Sequence, residues 1–367
     1  MIPIEHKRSG TTFQVNAFWL RDHCRCSSCY NLETKQRKYN LLDIPSTMRP
    51  ISTEYNHNEL QLEVEWSDGH KSVYDIDHLN HAQVENVVTR IQQSTTRTLW
   101  NQATITANEI DLRTTLAELV SSDEAAHKIM QSLIRYGIAF VDGVPANTTM
   151  TEMTVRRLFP PMRTFFGEMY TFTDSPDHAD TAYTKQYLGF HTDNTYFCNA
   201  AGLQILHCIR HVNGVGGENF FADGFYAANE LKQSNPRAYE ILTRVPVPAE
   251  YIEEGQYHKY SAPIIRVDPV SSELVQVRLN IYDRAMFDTI PQTEMEDFYT
   301  SLREYLKIVQ RLDNEWKFKL HPGTVIFFDN WRVYHGRCAY TGERTMTGCY
   351  VERVDFLSKA RVMGIIG

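Results

Sequence analysis

No stretch of this chain approaches the roughly 18 consecutive apolar residues that a helix needs to cross a bilayer, so a membrane span is not expected. Positive charge is not in excess either. The formal net charge is −8, which argues against a nucleic-acid role resting on phosphate neutralisation. The first residues, Met1-Ile2-Pro3-Ile4-Glu5-His6-Lys7-Arg8, hold neither the apolar core of a secretory signal nor an acid-free helix rich in Arg and Ser. An intracellular protein is expected. Seven cysteines, an odd number in a chain without a secretory signal, make a disulfide framework unexpected as well. Internal repeats, low-complexity tracts and flexible linkers are missing. The glycine-rich turn Gly214-Val215-Gly216-Gly217 lacks both the spacing of a dinucleotide loop and the lysine of a phosphate loop.

What is present is an ordinary globular composition, 42% hydrophobic and 22% charged, over 367 residues. That length suits one large domain and a smaller one. Residues 1–100 read as a small β-rich domain. Residues 60–66 alternate apolar and polar as a half-buried strand does, Ser67-Asp68-Gly69-His70 makes a turn, and residues 71–76 continue the alternation on the return strand. Residues 101–367 form the larger domain. Residues 101–135 carry helical periodicity, with a break and N-cap at Ser121-Ser122-Asp123. Residues 136–141 read as a short buried strand. Further on come strands over 203–209, 274–281, 324–328 and 347–351, with helices at 223–231 and 294–312. Many short strands with flanking helices predict a mostly β fold, a double-stranded β-helix of the jelly-roll kind.

Two constellations carry chemistry. In the N-terminal part, Cys24, Cys26 and Cys29 place three thiolates within six positions, and one imidazole would complete a closed four-coordinate zinc site. The fourth ligand is His23 or His70. His23 adjoins Cys24 and would strain the shell, whereas His70 sits in a hairpin turn and can swing in. The alternative is three reduced, partly buried thiols.

In the larger part, Gly189-Phe190-His191-Thr192-Asp193 reads as a strand running into a loop. Side chains at i and i+2 of an extended segment point the same way, so His191 and Asp193 can reach one ion. His335 ends another apolar run, Phe327-Phe328-Asp329-Asn330-Trp331-Arg332-Val333-Tyr334-His335. Two His and one carboxylate on one face of an octahedron are the arrangement of non-haem Fe(II) oxygenases. A second His-x-Asp, His178-Ala179-Asp180, lies in a polar, turn-rich run where a histidine is usually just solvated.

With Arg344, nine residues beyond His335, these positions resemble the Fe(II)/2-oxoglutarate-dependent oxygenases, in which a fixed bidentate cation suits the far carboxylate of a keto acid. A mononuclear zinc hydrolase could use the same triad but has no need of that arginine. The likeness runs from Trp19-Leu20-Arg21-Asp22 to Arg361. It is strongest to the family formed by trimethyllysine dioxygenase and γ-butyrobetaine dioxygenase, through Ala182-Tyr183-Thr184, His191-Thr192-Asp193, Gly202-Leu203-Gln204-Ile205-Leu206-His207-Cys208 and Asp329-Asn330-Trp331-Arg332. Asp180-Thr181-Ala182-Tyr183-Thr184-Lys185, Asp223-Gly224-Phe225-Tyr226-Ala227-Ala228 and Tyr282-Asp283-Arg284 are more similar to the trimethyllysine branch.

The resemblance implies iron on His191, Asp193 and His335, and 2-oxoglutarate held by Arg344 and the Leu206 backbone. It implies a zinc domain with Cys24, Cys26, Cys29 and His70 that helps form a homodimer. A trimethylammonium head would sit among Phe166, Tyr170, Tyr183 and Tyr350, because such a cation has no hydrogen to donate and is held by aromatic faces. The implied reaction uses O2 and 2-oxoglutarate to hydroxylate Nε-trimethyllysine at C3, giving succinate and CO2, with ascorbate as reductant. Hydroxylation of γ-butyrobetaine by the same chemistry is the alternative. Asp180 favours the former, since an ionised carboxylate would repel the lone carboxylate of γ-butyrobetaine but pair with the α-ammonium of trimethyllysine. By the same resemblance the compartment is the mitochondrial matrix, or the cytoplasm without a presequence.

Overall fold

The structure, a computed structural model, describes residues 1–56, 58–94, 97–174, 181–253 and 255–366. Its contacts divide the chain into Met1–Gln93 and Ser94–Gly367. All seven cysteines are unpaired. Among the described residues no helix is long and apolar enough to cross a membrane.

In the first unit a hairpin, Ile2–His6 with Thr11–Val15, and a three-stranded meander, Pro50–Asn56, Gln61–Trp66 and Lys71–Asp75, share one core. The expected alternation is visible in it: Leu62, Val64 and Trp66 are buried while Glu63 faces solvent. Gly69 takes φ +78°, the left-handed conformation that the tight turn needs and that glycine adopts without steric cost. The turn is closed by His70 N–H donating to Asp68 Oδ1 (3.0 Å) and Trp66 N–H donating to the His70 carbonyl (2.8 Å).

The second unit is built on two sheets. The larger runs in the order Tyr170–Thr173, Glu343–Val351, Leu203–Val212, Thr324–Asp329, Ile138–Asp142, Arg113–Thr115, and the smaller in the order Leu188–His191, Val333–Arg337, Asn219–Asp223, Trp316–Phe318. All pairs are antiparallel except Arg113–Thr115 with Ile138–Asp142. The period of two sorts every strand by face. Phe140, Cys208, Ile326, Phe328 and Met346 of the large sheet pack with Phe221, Val333 and Trp316 of the small one. Leu203, Ile205, Val325 and Phe327 turn the other way, onto Asp123–Tyr136 and Arg353–Val362. Phe220, Ala222 and Tyr334 likewise turn out onto Gly224–Ser234, Pro236–Arg244 and Met295–Val309. This is the jelly-roll with flanking helices.

The structure is richer in helix than the sequence suggested. Thr148–Arg156, Pro236–Arg244 and Arg353–Val362 are helical, and Pro246–Glu253 with Gln256–Pro263 forms a long hairpin. The helical stretch expected over 101–135 is three helices, Gln102–Ala107, Leu116–Ser121 and Asp123–Tyr136, with the strand Arg113–Thr115 between the first two. Its restart has a local cause. Thr115 and Glu118 form a reciprocal capping box, satisfying N–H groups that a helix start leaves open. The strand expected over 274–281 ends at Val277, because the chain turns away to the loop after His191: Thr192 N–H donates to the Leu279 carbonyl (2.9 Å) and Leu279 N–H to Thr192 Oγ1 (3.1 Å).

Candidate active site

Strand register brings the two distant histidines together. His191 ends Leu188–His191 and His335 lies in Val333–Arg337, and the two are direct partners across the antiparallel pair, with ring centroids 4.1 Å apart. Asp193 Oδ1 lies 3.3 Å from His191 Nε2 and 3.5 Å from His335 Nε2. All three side chains are largely buried.

Two of the three groups, His191 and Asp193, are oriented by a hydrogen bond from behind the donor atom. His191 Nδ1–H donates to the Gly189 carbonyl (2.8 Å), which leaves the Nε2 lone pair facing the cavity. Tyr350 O–H donates to Asp193 Oδ2 (2.7 Å), leaving Oδ1 free. Asn330 anchors the loop from below. Its Oδ1 accepts from Asp193 N–H (2.8 Å), and its amide donates to the carbonyls of Asp193 (3.1 Å) and Ala201 (3.0 Å). Burial disfavours a charge on Asp193, but the two imidazoles outweigh it and hold the carboxyl far below its usual range. Burial and the neighbouring His191 lower the pKa of His335. An ionised carboxylate with two imidazole nitrogens aimed at one point is a donor set that fits a divalent iron and leaves one side open.

That open side faces a cavity, and nearly all the expected ligand-binding residues line it. Phe166, Tyr170, Tyr183 and Tyr350 form one wall, and Leu206 and Arg344 belong to the same cavity. Tyr170 packs on Tyr350 at 5.3 Å and on Phe166 at 6.4 Å, while Phe172, which sequence reasoning missed, joins Tyr170 (6.1 Å) to Tyr183 (5.9 Å). At the other sign of charge, Arg344 is 5% exposed, and burial lowers its pKa, with no carboxylate among the described residues to restore it. Asp180, like His178, lies outside the described residues. Asn280 and Asp283 are among the polar residues of the cavity that the sequence did not single out as site residues. Asn280 donates from Nδ2 to Asp283 Oδ2 (2.7 Å). Isolated polar residues after a strand have no pattern by which they could have been found.

The second constellation is also assembled. His70 Nε2 lies 3.4, 3.6 and 3.5 Å from the sulfurs of Cys24, Cys26 and Cys29. Arg21 stands behind it, donating from Nη1 to Cys29 Sγ (3.5 Å) and pairing with Asp68 (3.2 Å). His23 is turned elsewhere, its ring donating from Nδ1 to the Trp19 carbonyl at 2.7 Å.

A buried His-x-Asp…His triad between the sheets of a jelly-roll, opening on a cavity with a buried arginine, is the arrangement of an Fe(II)/2-oxoglutarate-dependent dioxygenase. Comparisons agree. Residues 95–350 match the family model described as Taurine catabolism dioxygenase TauD, TfdA family, and residues 4–80 match Gamma-butyrobetaine hydroxylase-like, N-terminal. Mitochondrial trimethyllysine dioxygenase of Mus musculus is 38% identical over 371 residues, covering 99% of this chain and 86% of the relative. The Homo sapiens protein of that name is 37% identical over 365 residues, covering 98% and 85%. The crystal structure of AAD-2 in complex with Mn(II) and N-oxalylglycine superposes with a TM-score of 0.51 at 14% identity, over 66% of this chain and 92% of that one. The chain therefore belongs to the family of trimethyllysine and γ-butyrobetaine dioxygenases, and it uses Fe(II), 2-oxoglutarate and O2 on a small-molecule substrate.

Proposed function

We propose that the protein hydroxylates Nε-trimethyllysine at C3, giving 3-hydroxy-trimethyllysine, succinate and CO2, the first step of carnitine biosynthesis. The observation that carries this reading is the aromatic wall of Phe166, Tyr170, Tyr183 and Tyr350 set beside the His191, Asp193 and His335 donors in one cavity. The names of the full-length relatives support it. Four rings offer a permanent cation their negative faces, an attraction that strengthens where water is excluded. Tyr350 has two duties: its ring forms part of the wall and its hydroxyl orients Asp193.

His191, Asp193 and His335 hold the iron, and Arg344 with the Leu206 backbone receives the keto acid. Iron with keto acid and O2 supplies the oxidising chemistry, with ascorbate as reductant. This chain's contribution is to fix which C–H faces the metal, a positioning effect. With the cation against the rings and the α-ammonium paired to Asp180, the substrate is held at both ends and C3 is presented between them.

The N-terminal unit is read as a structural zinc domain that assists a homodimer. A tetrahedral ion with bonds of about 2.3 Å to sulfur and about 2.05 Å to nitrogen separates N from S by about 3.6 Å. The distances from His70 match that spacing. Burial and then the charge of Cys24 push the Cys29 thiol up to about 11, so a bound cation would be needed to hold it as a thiolate. Four protein ligands leave no open position for catalysis. The relatives' names support a mitochondrial location.

The test is mass-spectrometric detection of a hydroxylated product from trimethyllysine and from γ-butyrobetaine, with wild type and Asp180→Asn. Wild type is expected to prefer trimethyllysine, and Asp180→Asn to lose part of that preference. Equal or better hydroxylation of γ-butyrobetaine by wild type would contradict the assignment.

A further inference from the structure

Behind the aromatic wall of the cavity lies a second hollow, a surface groove of about 780 Å³, a size that admits a whole amino acid. The two hollows share Tyr196, which lines both. Phe166 belongs to the cavity wall and its neighbour Phe165 to the groove, with ring centroids 4.0 Å apart. Two loops bring this about. Met162 N–H donates to the Tyr350 carbonyl (2.7 Å), which ties residues 162–166 to the strand that carries Tyr350. After Asp193 the chain turns tightly: Asn194 takes φ +58°, and its carbonyl accepts from Phe197 N–H (3.0 Å). That turn leaves Tyr196 5% exposed and sets Phe197 in the groove.

Rings and one carboxylate give the groove its character. His258, on the strand Gln256–Pro263, stacks on Phe165 at 5.0 Å, and Phe197 meets the two edge-on, at 5.1 and 6.1 Å. Glu352, two residues beyond Tyr350, is half-buried in the same groove. Its carboxylate accepts from Asn199 Nδ2 (3.0 Å), and among the described residues no arginine or lysine pairs with it. Nor does it cap the helix Arg353–Val362 that follows. Burial and then the neighbouring Asp355 raise its pKa, so a cation beside it would relieve an unfavourable charge. Arg163 and Lys259, both exposed, line the groove as well, and among the described residues neither is paired with a carboxylate. Aromatic side chains around one carboxylate suit a cation that has no hydrogen to donate. The two basic side chains suit the carboxylate of the same ligand.

We propose that this groove is an outer binding site for the trimethylammonium substrate, held there by Glu352 and the surrounding rings before it enters the cavity past Phe166 and Tyr196. This rests on the reading above that the rings of the cavity take that cation. A charged site at the mouth raises the local concentration of substrate and its rate of entry without altering the chemistry.

The test has a binding and a kinetic readout. Anaerobic, Mn(II)-loaded protein with 2-oxoglutarate bound is titrated calorimetrically with trimethyllysine. Wild type should bind two molecules per chain, and Glu352→Gln one. In turnover Glu352→Gln should lower kcat/KM for trimethyllysine about fivefold at low ionic strength and less at high salt. Its kcat, its Kd for 2-oxoglutarate and its melting temperature should keep wild-type values. Phe197→Leu retains apolar bulk without the ring and should act in the same direction, which covers the case of a Glu352→Gln that does not fold. One molecule bound by wild type, or an unchanged kcat/KM in Glu352→Gln, would overturn the outer site and leave the groove to another occupant. Should wild type neither bind nor hydroxylate trimethyllysine, the reading of the cavity falls instead, and titration with tetramethylammonium decides the groove. Binding that Glu352→Gln weakens would support the outer site; binding that it leaves unchanged, or none, would overturn it.

Discussion

Asp193 turns its two oxygens different ways: Oδ2 accepts from Tyr350 and Oδ1 faces the two imidazoles, where the proposed iron would sit. Partners of this kind fix the direction of a ligand's lone pairs, and their loss typically costs about 10- to 100-fold in metal affinity. Tyr350→Phe keeps the ring and removes the hydroxyl, so iron affinity should fall by about that factor while the fold remains intact. Competition for iron with a coloured chelator would measure it. Unchanged affinity would show that the hydroxyl does not orient the ligand. Replacing a donor itself is more severe. His191→Ala, Asp193→Ala or His335→Ala should abolish 2-oxoglutarate turnover with little change in circular dichroism, and near-normal succinate formation by any of them would remove iron from these residues. These donors were legible in the sequence because each sits at the end of an apolar run, where a His or Asp stands out. Asn330 was visible only as part of a shared string, and its role as anchor of the Asp193 loop needed three hydrogen bonds that no spacing predicts.

Among the secondary-structure elements, the site depends most on the antiparallel pair that sets His191 against His335. Gly336 lies between the second histidine and Arg337, and a Cβ there would lie 2.2 Å from Phe220 Cε2 and 2.7 Å from the Leu188 carbonyl. Neither obstacle can give way easily, since one is a buried ring and the other is backbone. Gly336→Ala should therefore destabilise the protein by about 1–3 kcal/mol, the usual cost of overpacking, and lower turnover by displacing His335. Chemical denaturation gives the first quantity and succinate release the second; a variant with wild-type values for both would show that the pair tolerates expansion. The strands themselves could be read from alternation, but the helices were under-read. Thr148–Arg156 carries four threonines, whose weak helix propensity hides it. Pro236–Arg244 begins at a proline, which reads as a turn until Asn235 is seen capping it, with Oδ1 accepting from Ala238 N–H (3.1 Å). Register was likewise out of reach, because only the folded ladder puts Asn219 opposite Arg337.

For the molecule as a whole, the account calls for two metals with different duties, one in each unit. Elemental analysis after iron is stripped should find one zinc per chain, and removing it should lower the melting temperature by more than about 4 °C, since metal-binding energy in such a domain is folding energy. Finding no zinc in carefully purified protein would reduce Cys24, Cys26 and Cys29 to ordinary thiols. That the three cysteines lie together was readable because they are close in sequence, whereas His70 could be placed beside them, rather than His23, only by the hairpin that carries it. The central claim concerns the cavity: one donor triad, a ring-lined wall for a permanent cation and a buried arginine for a keto acid. The most direct test of it is succinate release with Fe(II), O2 and 2-oxoglutarate, measured side by side with trimethyllysine and with γ-butyrobetaine. Release that depends on trimethyllysine, exceeds that with γ-butyrobetaine and disappears in His191→Ala is the predicted result. Release that is stimulated by neither compound, or more by γ-butyrobetaine, would contradict it.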